Sequence, residues 1–318
     1  MYPLEHLYSI KAYEEWQNWK SAGSNSKLKD FKQSSCEVRD DLDWEIASWD
    51  ELRTAISFLT LMNKRHVLYF RGQKEYYDLC LPTLFREEWS FKGRNISLTE
   101  DNQVKFYTKL LEFRTSVLKV AEKTGTPRSH ILKHVPAAAA SILQHYELWP
   151  TYFIDVTRSL SIATAFAEGQ GKDRDLAYLF VFAMPDLRGS ITSDMDQHVS
   201  ISRLEAICPP DAIRPHHQNA YLVARFPEPP NITDCKDSTW KTWRRNMDLM
   251  KRLVAKFVLK LENGKLSGAP FIDFNFLFPP GGKDMFGKLL YDTLEPKIID
   301  FIECELSINR DRPRLNRK

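Results

Sequence analysis

Apolar positions along the chain come in two kinds of run, continuous and periodic, and their order lays out helices interspersed with strands. Val67-Leu-Tyr-Phe70 and Ala177-Tyr-Leu-Phe-Val-Phe-Ala-Met-Pro185 are unbroken apolar stretches rich in strand formers, as expected of strands covered on both faces. Between 50 and 63, Leu52, Ala55, Ile56, Phe58 and Leu59 recur at helical spacing, with Asp50 as the expected N-cap. Ser97-Leu-Thr-Glu100 reads as a capping box opening a long helix to about Lys123, with Val104, Tyr107, Leu110, Leu111, Val117 and Leu118 on its apolar face. A second helix is expected from about Pro127 to Tyr146, kinked or divided at Pro136. Tyr152-Phe-Ile-Asp-Val-Thr157 reads as a strand, and Ser159 as the cap of a helix with Leu160, Ala163 and Ala167 in one stripe. The 201–207 segment is ambiguous, 214–219 reads as a polar loop entering a strand, and a further strand is expected at 256–261 before a terminal helix from about Lys283. The first 48 residues suggest a short amphipathic helix near Trp16 and Trp19, a loop, and an extended arm leading to Trp49. There is no internal repeat, and the interspersed elements predict an α+β fold around a mixed sheet.

Charge changes this picture locally. The net charge is only +3, yet 236–260 holds eight Lys or Arg against Asp237 and Asp248, so most of the remaining chain is close to neutral or acidic. A solvated helix face explains this blandly. A nucleic-acid footprint is the functional alternative, with Trp240, Trp243, Arg244, Arg245, Lys251 and Arg252 supplying stacking and phosphate contacts. Five scattered cysteines match neither a disulfide framework nor a zinc spacing, and no run reaches the roughly 18 apolar residues of a membrane helix. Met1-Tyr-Pro-Leu-Glu-His lacks the form of a signal peptide, so a cytoplasmic protein without a membrane partner is expected.

The candidate chemistry centres on Tyr69-Phe-Arg-Gly-Gln73. Arg71 follows a buried strand, where a guanidinium needs an anionic partner, either a structural carboxylate or a ligand phosphate. Gly72 would let the backbone turn or approach a ligand closely. His216-His217 has no accompanying carboxylate or cysteine spacing, and no metal is expected. Neither a nucleophile elbow nor a glycine-rich phosphate loop occurs.

Several segments, in one order, resemble the FRG domain. They are Tyr69-Phe-Arg-Gly-Gln73, Leu81-Pro-Thr-Leu-Phe-Arg86, Leu143-Gln-His-Tyr-Glu-Leu-Trp-Pro-Thr-Tyr-Phe-Ile-Asp-Val-Thr157 with Ala165-Phe-Ala167, Arg214 to Gln218 before an apolar strand, and Phe276-Leu-Phe-Pro279. Departures are Glu147 for a glycine, Trp149 inserted before Pro150, Tyr152 for an arginine and Val156 for a tryptophan. The resemblance spans about 66–292 and implies a domain there, with 1–65 as an arm packing on the core and 293–318 as a C-terminal segment with a basic tail.

A second resemblance, to ADP-ribosyltransferases of the arginine, serine/threonine, glutamate type, implies a split mixed sheet flanked by helices, with NAD as the ADP-ribose donor. By it, Arg71, Thr157 and either Gln218 or Glu205 are the catalytic candidates, Gln218 by position and Glu205 if its loop folds back. Gly72, Gln73, His145, Tyr146, Asp155 and Ser159 join Arg71 and Thr157 as candidates for holding NAD. It further implies a toxin or phage-defence effector, acting on nucleic acid such as RNA or on protein, with an antitoxin or inhibitor protein as partner. The rivals are a non-catalytic nucleic-acid- or protein-binding module, and a nucleotide sensor that uses Arg71 as its clamp.

Overall fold

The computed structural model describes residues 7–12, 43–76, 80–170, 174–186, 188–225, 238–245, 247, 249–280 and 282–306, with backbone only at 43, 239 and 243–245. Trp16 and Trp19, and the basic tail, lie outside the described residues. The elements begin with β1 (Asp43–Ile46), α1 (Trp49–Met62), β2 (His66–Gln73), β3 (Glu88–Phe91), β4 (Arg94–Ser97), α2 (Glu100–Thr124), α3 (His130–His134) and α4 (Pro136–His145). They continue with β5 (Ile154–Thr157), α5 (Leu160–Glu168), β6 (Leu176–Pro185), β7 (Ile191–Asp194), β8 (Val199–Arg203), α6 (Leu204–Ile207) and α7 (Ile213–His217). The last are β9 (Ala220–Arg225), α8 (Ser238–Arg245), β10 (Leu253–Glu262), β11 (Lys265–Leu266), α9 (Phe274–Leu277) and α10 (Met285–Glu305). This is a mixed α+β fold.

Among the described residues a nine-stranded sheet runs β1-β10-β6-β2-β5-β9-β8-β7, with β11 beside β10. Among the described strands of this sheet, β1 and β10 pair in parallel and the other pairings are antiparallel. The apolar runs of β2 and β6 lie side by side, β2 pairing with β6 from His66 to Gln73. The sheet is nearly parted in the middle. β2 and β5 share one residue pair, Phe70 with Thr157, whereas β5 pairs with β9 over its whole length. Beyond that pair the strands diverge, and Arg71–Gln73 and Ile154–Val156 line the two sides of a fork.

Two apolar cores cover the faces. One joins β3, β4, α2, α4 and α10 to the inner side of β9, through Trp89, Phe106, Trp149, Leu222 and Phe301. The other lies among α1, α5, β2, β6 and β10, through Leu59, Phe70, Ala163, Phe182 and Phe257. Trp149, the residue inserted relative to the family pattern, is 2% exposed and donates from Nε1 to Phe106 O at 3.0 Å. It fills the first core rather than lengthening a loop.

Several boundaries differ from expectation. Ser48, not Asp50, caps α1, because Ser48 Oγ accepts from Glu51 N while Asp50 lies in the first helical turn. Ser97 ends β4, and Thr99 caps α2 instead, accepting from Asn102 N. Pro136 divides the next helix outright and stands at the first position of α4, where its missing N–H costs nothing. The ambiguous 201–207 segment is half strand and half helical turn, and 214–217 is a helical turn rather than a loop.

Candidate functional site

The fork opens into a cleft of about 640 Å³, within the usual range for a small-molecule site. β2 supplies Arg71 and Gln73, β5 supplies Asp155 and Thr157, the end of α4 supplies Gln144 and His145, and Gln218 enters from the turn before β9. Arg71 thus sits where β2 leaves its neighbour. Its Nη1 donates to Asp155 O at 2.6 Å, bridging the gap that strand pairing leaves open. Its Nε is buried without a hydrogen-bond partner among the described residues. A buried donor of a charged group left unpaired costs free energy that an incoming acceptor returns.

Gly72 has a different purpose from the one expected. It lies within β2, and a Cβ built there would stand 1.8 Å from Ala163 O and 2.7 Å from Ala167 N. The close approach that requires glycine here is that of helix α5, and β2 runs on through it to Gln73 rather than turning. Only a bare backbone lets α5 rest on the strand beside Arg71.

A chain of polar groups runs behind the fork. Gln218 Nε2 donates to Leu277 O at 2.9 Å, which leaves Gln218 Oε1 to accept from His145 Nδ1 at 2.7 Å. The other ring nitrogen, Nε2, faces Asp155 Oδ1 at 3.2 Å. The imidazole thus stands between the Gln218 amide and the Asp155 carboxylate. Burial alone would raise the Asp155 carboxyl, but His145, then Arg71 and a hydrogen bond from Gln144, outweigh it and hold the group below its ordinary value. Asp155 is therefore a carboxylate at neutral pH, half-buried at the edge of the cleft. Arg214 steadies the group from outside, donating to His145 O at 3.2 Å with its guanidinium 5.0 Å from the Tyr146 ring centre and 5.4 Å from that of Phe278.

The structure brings together Arg71, Gly72, Gln73, His145, Asp155, Thr157 and Gln218. Thr157 is committed locally, its Oγ1 donating to Asn219 O at 3.0 Å and accepting from Ser159 N at 3.1 Å. Ser159 caps α5 through Ile162 N and does not line the cleft. Tyr146 is fully buried against Phe286 and Arg214, outside the cleft, and burial together with Asp284 pushes its hydroxyl pKa upward. Glu205 is exposed at the start of α6, paired with Arg203 at 2.5 Å, and its loop does not fold back to the cleft. Gln218 lines the cleft, but both ends of its amide are already bonded.

Of the proposed nucleic-acid contacts, the side chains of Trp243, Arg244 and Arg245 lie outside the described residues, Lys251 is exposed and Arg252 half-buried. Trp240 is no stacking platform: it is 1% exposed and packs on Phe85 and Tyr107. That contact anchors α8 one residue from Arg86, which lines the cleft.

Sequence reasoning missed Lys74, Arg86, Gln144, Phe166, Phe274 and Phe278 as lining residues. Arg86, Gln144, Phe166 and Phe278 stand inside the motifs that carried the family resemblance, and that was the available signal. Among the described residues no group of three or more His, Cys, Asp or Glu side chains could hold a metal ion, and no helix is long and apolar enough to cross a membrane.

Compared with known families, residues 66–175 match the FRG domain, so the chain carries an FRG domain there. The matched span runs from the start of β2 past the end of α5 and holds Arg71, His145, Asp155 and Thr157, while Gln218, Phe274 and Phe278 fall beyond it. No match was found among curated proteins or solved structures.

Proposed function

We propose that this FRG domain binds NAD in the fork cleft and transfers its ADP-ribosyl group to a macromolecule. The observation that carries the reading is the placing of two opposite charges on the two sides of one fork, Arg71 on β2 and Asp155 on β5. NAD suits that pair. Its pyrophosphate is anionic, and its nicotinamide ribose gains positive charge as the bond to nicotinamide breaks. Arg71 meets phosphate through the donors it has spare. Asp155 stabilises the developing positive charge on the ribose and then accepts the proton of the attacking acceptor group. His145, itself held by Gln218, keeps Asp155 in position. Nicotinamide departs with the electron pair of the broken bond, and the acceptor forms the new bond at the same ribose carbon.

Nucleic acid, such as RNA, is favoured over protein as acceptor because α8, in the basic segment, packs through Trp240 on Phe85, the neighbour of the cleft-lining Arg86. Trp240 fixes α8 beside Arg86, and Leu249 N donates to Cys80 O at 3.5 Å, a residue whose thiol lies in the fields of Arg71 and Arg86. A second reading, nucleotide binding without turnover, is favoured by the Gln218 amide, which brings no negative charge of its own.

NAD labelled in its adenylate half, incubated with the protein and with RNA, single-stranded DNA or a protein extract, decides between them. Label is expected to reach nucleic acid and to fall at least about 100-fold in Arg71→Ala and Asp155→Asn. If saturable NAD binding is accompanied by no label transfer and no nicotinamide release, the transferase reading is abandoned for the second. In a bacterial host, a toxin or defence role predicts growth arrest that Arg71→Ala abolishes.

A further inference from the structure

We propose that one end of the cleft is a nucleobase subsite for a neutral purine, formed by Phe274, Phe278 and Lys74; this rests on the reading of the cleft as a nucleotide site. Phe274 and Phe278, four residues apart across the short helix α9, stack with ring centres 4.6 Å apart and planes at 21°. Phe166 of α5 meets Phe278 edge-on at 5.7 Å. All three rings are only half-buried and line the cleft, so apolar area is kept facing a ligand-sized space instead of being closed into either core. Asp273 caps α9 through Asn275 N, and α9 is tied to the fork by Gln218 Nε2 donating to Leu277 O. The platform and the polar chain behind Asp155 are therefore one construction.

Charge selects the kind of ring. Lys74 Nζ lies 5.7 Å over the centre of Phe274, and the Arg214 guanidinium lies 5.4 Å from the centre of Phe278. The Lys74 stem crosses Gly169, where a Cβ would stand 2.3 Å from its Cε, so the ammonium is steered toward the ring. Two cations at one aromatic pair repel a pyridinium and suit a neutral base whose ring nitrogens accept hydrogen bonds. Lys74 also follows Arg71 by three residues, about 10 Å at the rise of an extended chain, a span that sugar and phosphate bridge. The nicotinamide half of NAD would then point away from the phenylalanines, and the adenine half toward them.

Three matched ligands test this by calorimetry on the full chain: AMP, nicotinamide mononucleotide and ribose 5-phosphate, which share one phosphate and differ in the base. AMP is expected to bind roughly ten-fold more tightly than the other two. Phe274→Leu, which keeps volume and loses the flat face, and Phe274→Ala should both erase that advantage while leaving ribose 5-phosphate unchanged. Equal binding of the three ligands by the wild-type protein, or an equal loss for all three in the variants, overturns the proposal. The transferase reading fails separately. Phe274-dependent AMP binding without transfer of label from NAD leaves the subsite standing and removes the enzyme. Transfer with an unaltered KM for NAD in Phe274→Leu does the reverse.

Discussion

Asp155 holds its charge where burial opposes it, and its neighbours make the difference. Because its folded-state pKa lies below that of an unfolded aspartate, its contribution to stability is complete above the ordinary carboxylate range near pH ~4 and is lost as pH falls through and below that range. Asp155→Asn should therefore flatten the acid side of a pH–stability curve, which thermal melts across pH 2–7 will read. Gln218 is the more informative neighbour. A glutamate there would set a carboxylate oxygen against Leu277 O and remove a donated hydrogen bond, so Gln218→Glu is expected to cost about 1–3 kcal/mol in denaturant unfolding. It would gain no activity. Glu205→Gln, in an exposed pair with Arg203, should change neither stability beyond about 0.5 kcal/mol nor label transfer.

At the scale of elements, two backbone positions carry the site. Gly72→Ala would drive a methyl into the backbone of α5 and push the helix off β2, at an expected cost of about 3 kcal/mol or more by chemical denaturation. Glu147 has the opposite character. It stands in the left-handed region at φ 55, which favours glycine, and its side chain is exposed. Glu147→Gly should stabilise by roughly 0.5–1 kcal/mol, raising the melting temperature, because relief of the left-handed penalty exceeds the added chain entropy.

The same contrast explains what the sequence made legible. Long elements with a strong period or a continuous apolar run, such as α2 and β6, were readable because the signal accumulates over ten or more residues. The four-residue hairpin strands β3 and β4 were not, since Trp89, Phe91 and Ile96 give too few alternations, although Lys92-Gly93 with φ 48 and 78 forms the tight turn between them. Arg71, Asp155 and Gln218 were found as candidates by motif. That the Gln218 amide is spent on His145 and Leu277 depends on contacts 59 and 73 residues distant in sequence, which no local pattern encodes.

Over the whole molecule, the described parts of 1–65 and of 293–306 pack onto the rest. β1 extends the main sheet through its parallel pairing with β10, and α10 runs unbroken through 292–293 into contact with α2. The sheet also sets an alkaline limit. Burial, with Tyr221 adding to it, pushes the Tyr69 hydroxyl up to about 12, against about 10 unfolded. The neutral phenol's contribution is full below about pH 10 and is lost as pH rises from about 10 to 12, a change of roughly 3 kcal/mol that Tyr69→Phe should remove from melts taken over that range.

The single pairing of Phe70 with Thr157 has a mechanical consequence. A sheet joined at one rung is stiff within each half and compliant across the seam, so the width of the fork is free to vary more than the spacing of the fully paired strands. Amide exchange should register this as faster opening of β5 along the seam than of β6, which is paired on both sides. A ligand lying between Arg71 and Asp155 takes the place of rungs that the strands do not form. Its arrival would be felt as added rigidity in β6 and β9, strands on either side of the fork that supply its walls with little more than their support.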